Sequence, residues 1–211
     1  LAVLLFSFGP HAYEADLENI LKAPDASSRE AAAQALSDDG ETIAWRTADL
    51  GEATAYAALR RRFGVLFWFF LLGPLGALLY RLARQLGHDS ALPLDTQARI
   101  SARYLANALD WLPAQLMVFT LALVGHWDAV IGAWRRWHQQ AAPNSWYLSN
   151  PDFLGAAARA DVLIDIEGGE GHVEERSDPL FELRRLRSAL LRALLAWLSV
   201  VALIVIGRWL H

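Results

Sequence analysis

The sequence predicts an all-α fold: a polytopic membrane protein with kinked or re-entrant helices and polar helical loops. Three observations lead there. The 211 residues are 55% hydrophobic and only 20% charged, and their mean hydropathy of +0.22 lies between that of a soluble domain and that of a chain held wholly in lipid. The strongest apolar runs abut arginines, as membrane helices do at their ends. The polar stretches between them carry helical spacing.

The totals also exclude some functions. A net charge of -4 argues against a nucleic-acid footprint, which needs a basic face. With no cysteine, disulfides, thiolate metal sites and a cysteine nucleophile are ruled out. Nine tryptophans suit a membrane–water boundary.

The elements follow in order. Residues 1–9, LAVLLFSFG, lack a basic n-region and an Ala-x-Ala site, so they do not read as a signal peptide. They are also too short to cross ~30 Å of hydrocarbon and read as the tail of a transmembrane helix. Residues 10–62 read as a polar helical cytoplasmic region. Tyr13, Leu17, Ile20 and Leu21 share a helix face, Pro24 ends that helix, and Ser27 with Glu30 fits a capping box before an Ala run. Gly40 suits a stop. Asp49 and Glu52 form a second cap-like pair before a helix from Thr54 that reaches Arg60, Arg61 and Arg62. Those three arginines look like a cytoplasmic anchor.

Residues 63–137 read as a membrane core. Phe63 to Tyr80 carries no charge, yet Pro74 follows Gly73 in its centre. Proline cannot continue the helical hydrogen-bond ladder, so the segment is expected to kink or fold back against other helices. A loop around Pro93 leads to a helix in which Pro113 is expected to interrupt, with Pro113 to Val124 embedded or interfacial. Residues 138–188 read as a polar loop region, with Val162 to Ile166 a short strand or helix end and Gly168 to Glu175 a flexible acidic loop. Residues 189–208 give the clearest transmembrane helix. Its basic flank, Arg184 to Arg192, is expected inside.

No phosphate loop, Gly-x-Ser-x-Gly or His-Glu-x-x-His motif is present, and the six histidines are scattered. The reading therefore assigns no catalytic residue, no metal ligand and no cofactor. Polar groups beside apolar runs are costly and often functional. This singles out Arg81, Arg84, Arg103 and Asp110 as ligand-binding candidates, with Trp111, Gln115, His126 and Asp128 beside them. Asp110, expected at a helix end, calls for a cation partner from Arg81 or Arg84.

Two blocks then stand together: LFWFFLLGPLGALLYR, Leu66 to Arg81, and ALDWLPAQL, Ala108 to Leu116, followed by ALVGHWDAVIGAWRRW, Ala122 to Trp137. In this order and spacing they resemble the AmpE/CobD-CbiB superfamily of bacterial inner-membrane proteins, and the closer resemblance is to the AmpE family. That resemblance implies a multi-pass protein of the bacterial inner membrane with a regulatory or sensory role in β-lactamase induction linked to cell-wall recycling. It also implies, as partners beside the lipid bilayer, a cytosolic amidase of the AmpD type or a cell-wall-derived small molecule. A membrane scaffold that binds a soluble partner through its polar loops is a further alternative. The CobD/CbiB branch instead forms an amide bond on cobyric acid. Its members carry a Glu-x-x-x-Glu-Asn block and an Asn-Thr-Leu-Asp-Ser-Met block where this chain has EATAYAALRRRFG and LARQLG. The arginine of the LDWLPARL block, part of the site shared with the AmpE family, is also replaced here, by Gln115.

Overall fold

A computed structural model describes residues 13–37, 42–88, 95–167 and 179–209. The expected membrane tail at 1–9, the stop at Gly40, the loop at Pro93 and the acidic loop at Gly168 to Glu175 lie outside them. Among the described residues every regular element is helical and no strand occurs.

The longer helices are α1 (Tyr13–Lys22), α2 (Ala26–Ala33), α3 (Thr47–Ala58), α4 (Gly64–His88), α5 (Thr96–Val124), α6 (Trp127–Gln140), α7 (Phe153–Glu167) and α8 (Pro179–Trp209), with short helical turns at Gln34–Leu36 and Ser145–Leu148. A π-helical turn, Leu59–Phe63, joins α3 to α4. Two caps differ from the sequence reading. Asp25, not Ser27, caps α2, its carboxylate accepting from the Ser28 N–H. The third helix begins at Thr47 rather than Thr54, with Asp49 in its first turn and no side-chain cap. Residues 153–167, expected to lie in a polar loop region with a short strand or helix end at Val162 to Ile166, form α7, so the helical alternative holds there and extends back to Phe153. Its Phe153, Leu154, Ala157, Ala158 and Val162 are buried, so its apolar face belongs to the core. That core unites Leu17 and Ile20 of α1, Leu50 and Ala55 of α3, Met117 and Leu121 of α5, Val130 of α6, and Leu183 and Leu186 of α8.

Gly73 breaks α4. Its backbone sits at φ 69°, ψ -157°, a region open to glycine at little steric cost. In a straight helix Gly64 and Tyr80 would lie about 24 Å apart. Here a Cβ on Gly64 would collide with the Tyr80 ring, and one on Gly76 would collide with the Trp68 carbonyl. Val65, Ala77 and Tyr80 share a buried cluster. The two arms of α4 therefore run back against each other, and the stretch expected to kink or re-enter is a helical hairpin with its tip at Gly73–Pro74.

Pro113 does not interrupt α5, which runs through it. Proline removes the N–H that would bond to the carbonyl four residues earlier. That carbonyl belongs to Leu109, and it accepts instead from the Trp68 indole N–H at 3.0 Å. The hairpin thus supplies the donor that α5 lacks.

Three helical stretches are long and apolar enough to cross a membrane by length and composition: Asp49–His88, Thr96–Val124 and Pro179–Ile204. Leu75 is 76% exposed, Leu123 75% and Leu203 68%. Side chains this apolar and this open belong in lipid. The chain is a multi-pass membrane protein in which the first of these stretches folds back at its hairpin.

Candidate functional site

Asp110 lies in the middle of α5 and is fully buried. A lone buried carboxylate is expensive, and three side chains from two elements answer it. The Tyr80 hydroxyl donates to Oδ1 at 2.6 Å. Nη1 of Arg84 donates to Oδ2 at 3.2 Å, and Nε of Arg60 stands 3.7 Å from the same oxygen. Arg60 comes from the π-helical turn and Arg84 from the second hairpin arm. A π-turn advances the side chains around the helix axis, and such turns recur at functional sites. This one lets consecutive arginines reach different carboxylates.

Those arginines do not face the lipid surface as an anchor would. Arg61 pairs with Asp16 at 2.6 Å and bonds the Ala35 carbonyl. Arg62 pairs with Glu14 at 2.8 Å, which also holds Arg187 of α8 at 2.9 Å. All three charges are engaged inside the protein, because α1 and α8 bring carboxylate and guanidinium groups to the same level.

Other candidate residues lie apart. Arg81 is half-buried, one turn from Arg84, and makes no ion pair among the described residues. Arg103 and Asp128 are exposed and Trp111 is half-buried. Gln115 faces α6: it accepts from the Trp134 indole at 2.7 Å, and its amide lies 3.2 Å from Nε2 of His138. His126 joins α5 to α7. Its backbone N–H donates to Asp161 Oδ1 at 2.7 Å, and its ring Nδ1 is 3.2 Å from the same oxygen. A Cβ on Gly125 would collide with that carboxylate. Of the eight candidates, only Arg84 and Asp110 therefore share a contact in the buried cluster.

A polar cleft of about 390 Å³ opens beside the cluster, lined by Asp49, Glu52, Tyr56, Arg60 and Asn150 among others. The Tyr56 hydroxyl donates to Asp152 at 2.8 Å, and Arg60 donates to Asn150 at 2.9 Å while its guanidinium lies over the Tyr56 ring. Burial raises the Asp152 carboxyl above its usual range, against the lowering effects of Tyr56 and Arg60. Arg60 thus lies between the cleft and the buried Asp110. Sequence reasoning missed this cleft. Glu52, Tyr56 and Arg60 recur at i, i+4, i+8 on one helix face, the one local signal available. Their partners Asn150 and Asp152 lie far away in the chain. No group of three or more acidic or histidine side chains among the described residues is placed to hold a metal ion.

Fold and site together define a multi-pass, all-α membrane protein built on a buried Arg–Asp–Tyr cluster. No family model matches the chain, and no solved structure matches it. Over 111 residues it is 34% identical to the cobalamin biosynthesis protein CobD of Chromobacterium violaceum. That stretch is 51% of this chain and 33% of the relative, so the chain spans about a third of the length of the curated protein it matches. The similarity supports a distant relation to CobD and does not single out AmpE.

Proposed function

We propose that the chain is a non-catalytic membrane regulator of the AmpE type, modulating β-lactamase induction linked to cell-wall recycling, in the bacterial inner membrane. One observation carries this reading. The cations around the α4 hairpin are turned onto the protein's own carboxylates: Arg60 and Arg84 on Asp110, Arg61 on Asp16 and Arg62 on Glu14. A site built to hold an anionic substrate would leave such groups open to it. Here they lock helices together, and the scaffold suits signalling better than turnover. Arg81, half-buried beside the cluster and in no ion pair among the described residues, is the group this reading assigns to an anionic ligand or lipid head group. The polar cleft is the surface offered to a cell-wall-derived small molecule or to a cytosolic amidase of the AmpD type.

The test is β-lactamase induction in the native host after an in-frame deletion that leaves neighbouring genes intact. A changed induction level supports the reading, and restoration by the wild-type gene but not by Arg81→Ala would tie it to this site. An unchanged level overturns it.

A second reading is a divergent CobD-like enzyme that forms an amide bond on a corrinoid acid. The 34% identity and the presence of Glu52 on the cleft wall favour it. Turnover of a corrinoid acid with an amine by the purified protein would establish it.

A further inference from the structure

Gln115, a candidate that the buried cluster does not use, belongs to a hydrogen-bonded chain whose direction is fixed at both ends. An indole N–H can only donate, and that of Trp134 stands 2.7 Å from Oε1 of Gln115. The amide therefore turns its NH2 toward His138, whose Nε2 lies 3.2 Å away. At the other end, Nδ1 of His138 is 2.9 Å from the Trp134 carbonyl, which can only accept. Nδ1 must then carry a hydrogen, and Nε2 must be the bare nitrogen that accepts from Gln115. The chain closes on Trp134, which supplies both its first donor and its last acceptor. It is complete only with a neutral imidazole, because a second N–H at Nε2 would face the amide NH2.

Turning the amide over does not restore the chain. It would give a protonated His138 an oxygen, but it would set the NH2 against the Trp134 indole N–H. Protonation therefore gives up one of the two bonds that Gln115 makes with α6. Gln115 is buried, so the group that is left unpaired has no water to turn to. No carboxylate is placed to hold the added charge. The rings of Trp134, Trp137 and Phe153 lie 4.4, 5.0 and 5.2 Å from the imidazole. On α5, Asp110 is committed to Tyr80, Arg84 and Arg60. Beside Phe153 at the start of α7, Asp152 accepts from Tyr56. On α6 itself, Arg135 and Arg136 are exposed. His138 is half-buried, so protons from solvent reach it.

We propose that Gln115 and His138 form an acid-released clamp. With His138 neutral, the Gln115 side chain ties α5 to α6 through both bonds, and protonation of His138 breaks one of them and loosens α6 from α5. This goes beyond the functional reading above and does not depend on it.

The test is 15N NMR of the whole chain in detergent micelles, with labelled histidine and tryptophan. His138→Phe, which keeps a ring among the aromatic neighbours, assigns the His138 signals, and Trp134→Phe assigns the Trp134 indole. At neutral pH the wild type should show one bare and one protonated nitrogen on His138, with the proton on Nδ1. On acidification the Trp134 indole signal should move with the titration of His138, and it should stay still over the same range in His138→Phe. Gln115→Met removes the amide that opposes the second N–H. The His138 midpoint should then rise by about 0.7 pH unit, about fivefold in proton affinity, the worth of one net hydrogen bond. An imidazolium or an Nε2–H tautomer in the wild type at neutral pH would overturn the proposal. A Trp134 indole that ignores the titration, or equal midpoints in the wild type and Gln115→Met, would overturn it equally.

Discussion

The Tyr80 hydroxyl donates a 2.6 Å hydrogen bond to Oδ1 of Asp110, joining the second arm of the α4 hairpin to the middle of α5. Both groups are almost completely buried, so neither has water as an alternative partner. Arg60 and Arg84 stand on the other carboxylate oxygen. The cluster fixes three elements at once: the π-helical turn, the returning arm and α5.

Removing the acid should therefore cost more than removing the phenol. Asp110→Ala removes the carboxylate that two buried guanidinium groups share, and breaking such a pair costs about 3–5 kcal/mol. Tyr80→Phe keeps the ring and loses one hydrogen bond to a charged acceptor, about 1.5–3 kcal/mol. The expected order in detergent unfolding is wild type, then Tyr80→Phe, then Asp110→Ala as the least stable. Equal stability of wild type and Asp110→Ala would remove the cluster from its structural role.

The bond from Trp68 to the Leu109 carbonyl gives a sharper test, because its value depends on Pro113. In the wild type, Trp68→Phe orphans a carbonyl within the membrane region, at about 1–3 kcal/mol. In a Pro113→Ala background the alanine N–H can bond that carbonyl along the helix. Trp68→Phe should then cost less than in the wild type. A double-mutant cycle of unfolding free energies measures the difference. Additive effects would mean that the indole does not substitute for the missing backbone donor.

Asp152 makes a prediction about pH. Burial raises its folded pKa above the ordinary carboxylate value, so the native state binds this proton more tightly than the unfolded chain. Its contribution to stability is greatest in acid and is lost as pH rises through the raised folded value. Asp152→Asn removes that slope while keeping an oxygen for the Tyr56 hydroxyl. Thermal midpoints of the variant and the wild type should converge in acid, and the variant should gain relative to wild type toward neutral pH. Glu52 remains in both proteins but is electrostatically coupled to Asp152, so the difference reports the Asp152 charge together with its effect on Glu52. Parallel curves would contradict the assignment.

The helical class, the three long apolar stretches and the break at Gly73–Pro74 were legible because each rests on local composition or on one residue's backbone chemistry. A cation partner for Asp110 was expected from Arg81 or Arg84, and it is Arg84 that pairs with it, for a different reason. Asp110 was placed at a helix end, where the dipole opposes it. It lies in mid-helix, and it is its burial that demands a cation. Pro113 misled because its effect on α5 is cancelled by Trp68, which local pattern cannot show. Arg60 to Arg62 misled in the same way, since the carboxylates that claim them come from α1 and α5. The polar cleft stayed hidden because Tyr56 and Asp152 meet only after α7 packs on α3.

The hairpin has a consequence for topology that separates it from a simple span. If Asp49–His88 crossed the membrane once, its two ends would lie on opposite sides. With the arms folded at Gly73, the start of α3 and the end of α4 lie on the same side, and the tip at Leu71, Leu72 and Leu75, all more than half exposed, points into lipid. Single cysteines in the cysteine-free chain decide between these arrangements. Thr47→Cys and His88→Cys should react with a membrane-impermeant maleimide in one orientation of vesicles and be protected in the other, both together. Leu75→Cys should resist the reagent in both orientations and react only after solubilisation. Labelling of Thr47→Cys and His88→Cys from opposite sides would replace the hairpin with a crossing helix, and the contacts of Gly64 with Tyr80 and of Gly76 with Trp68 would have to be abandoned with it.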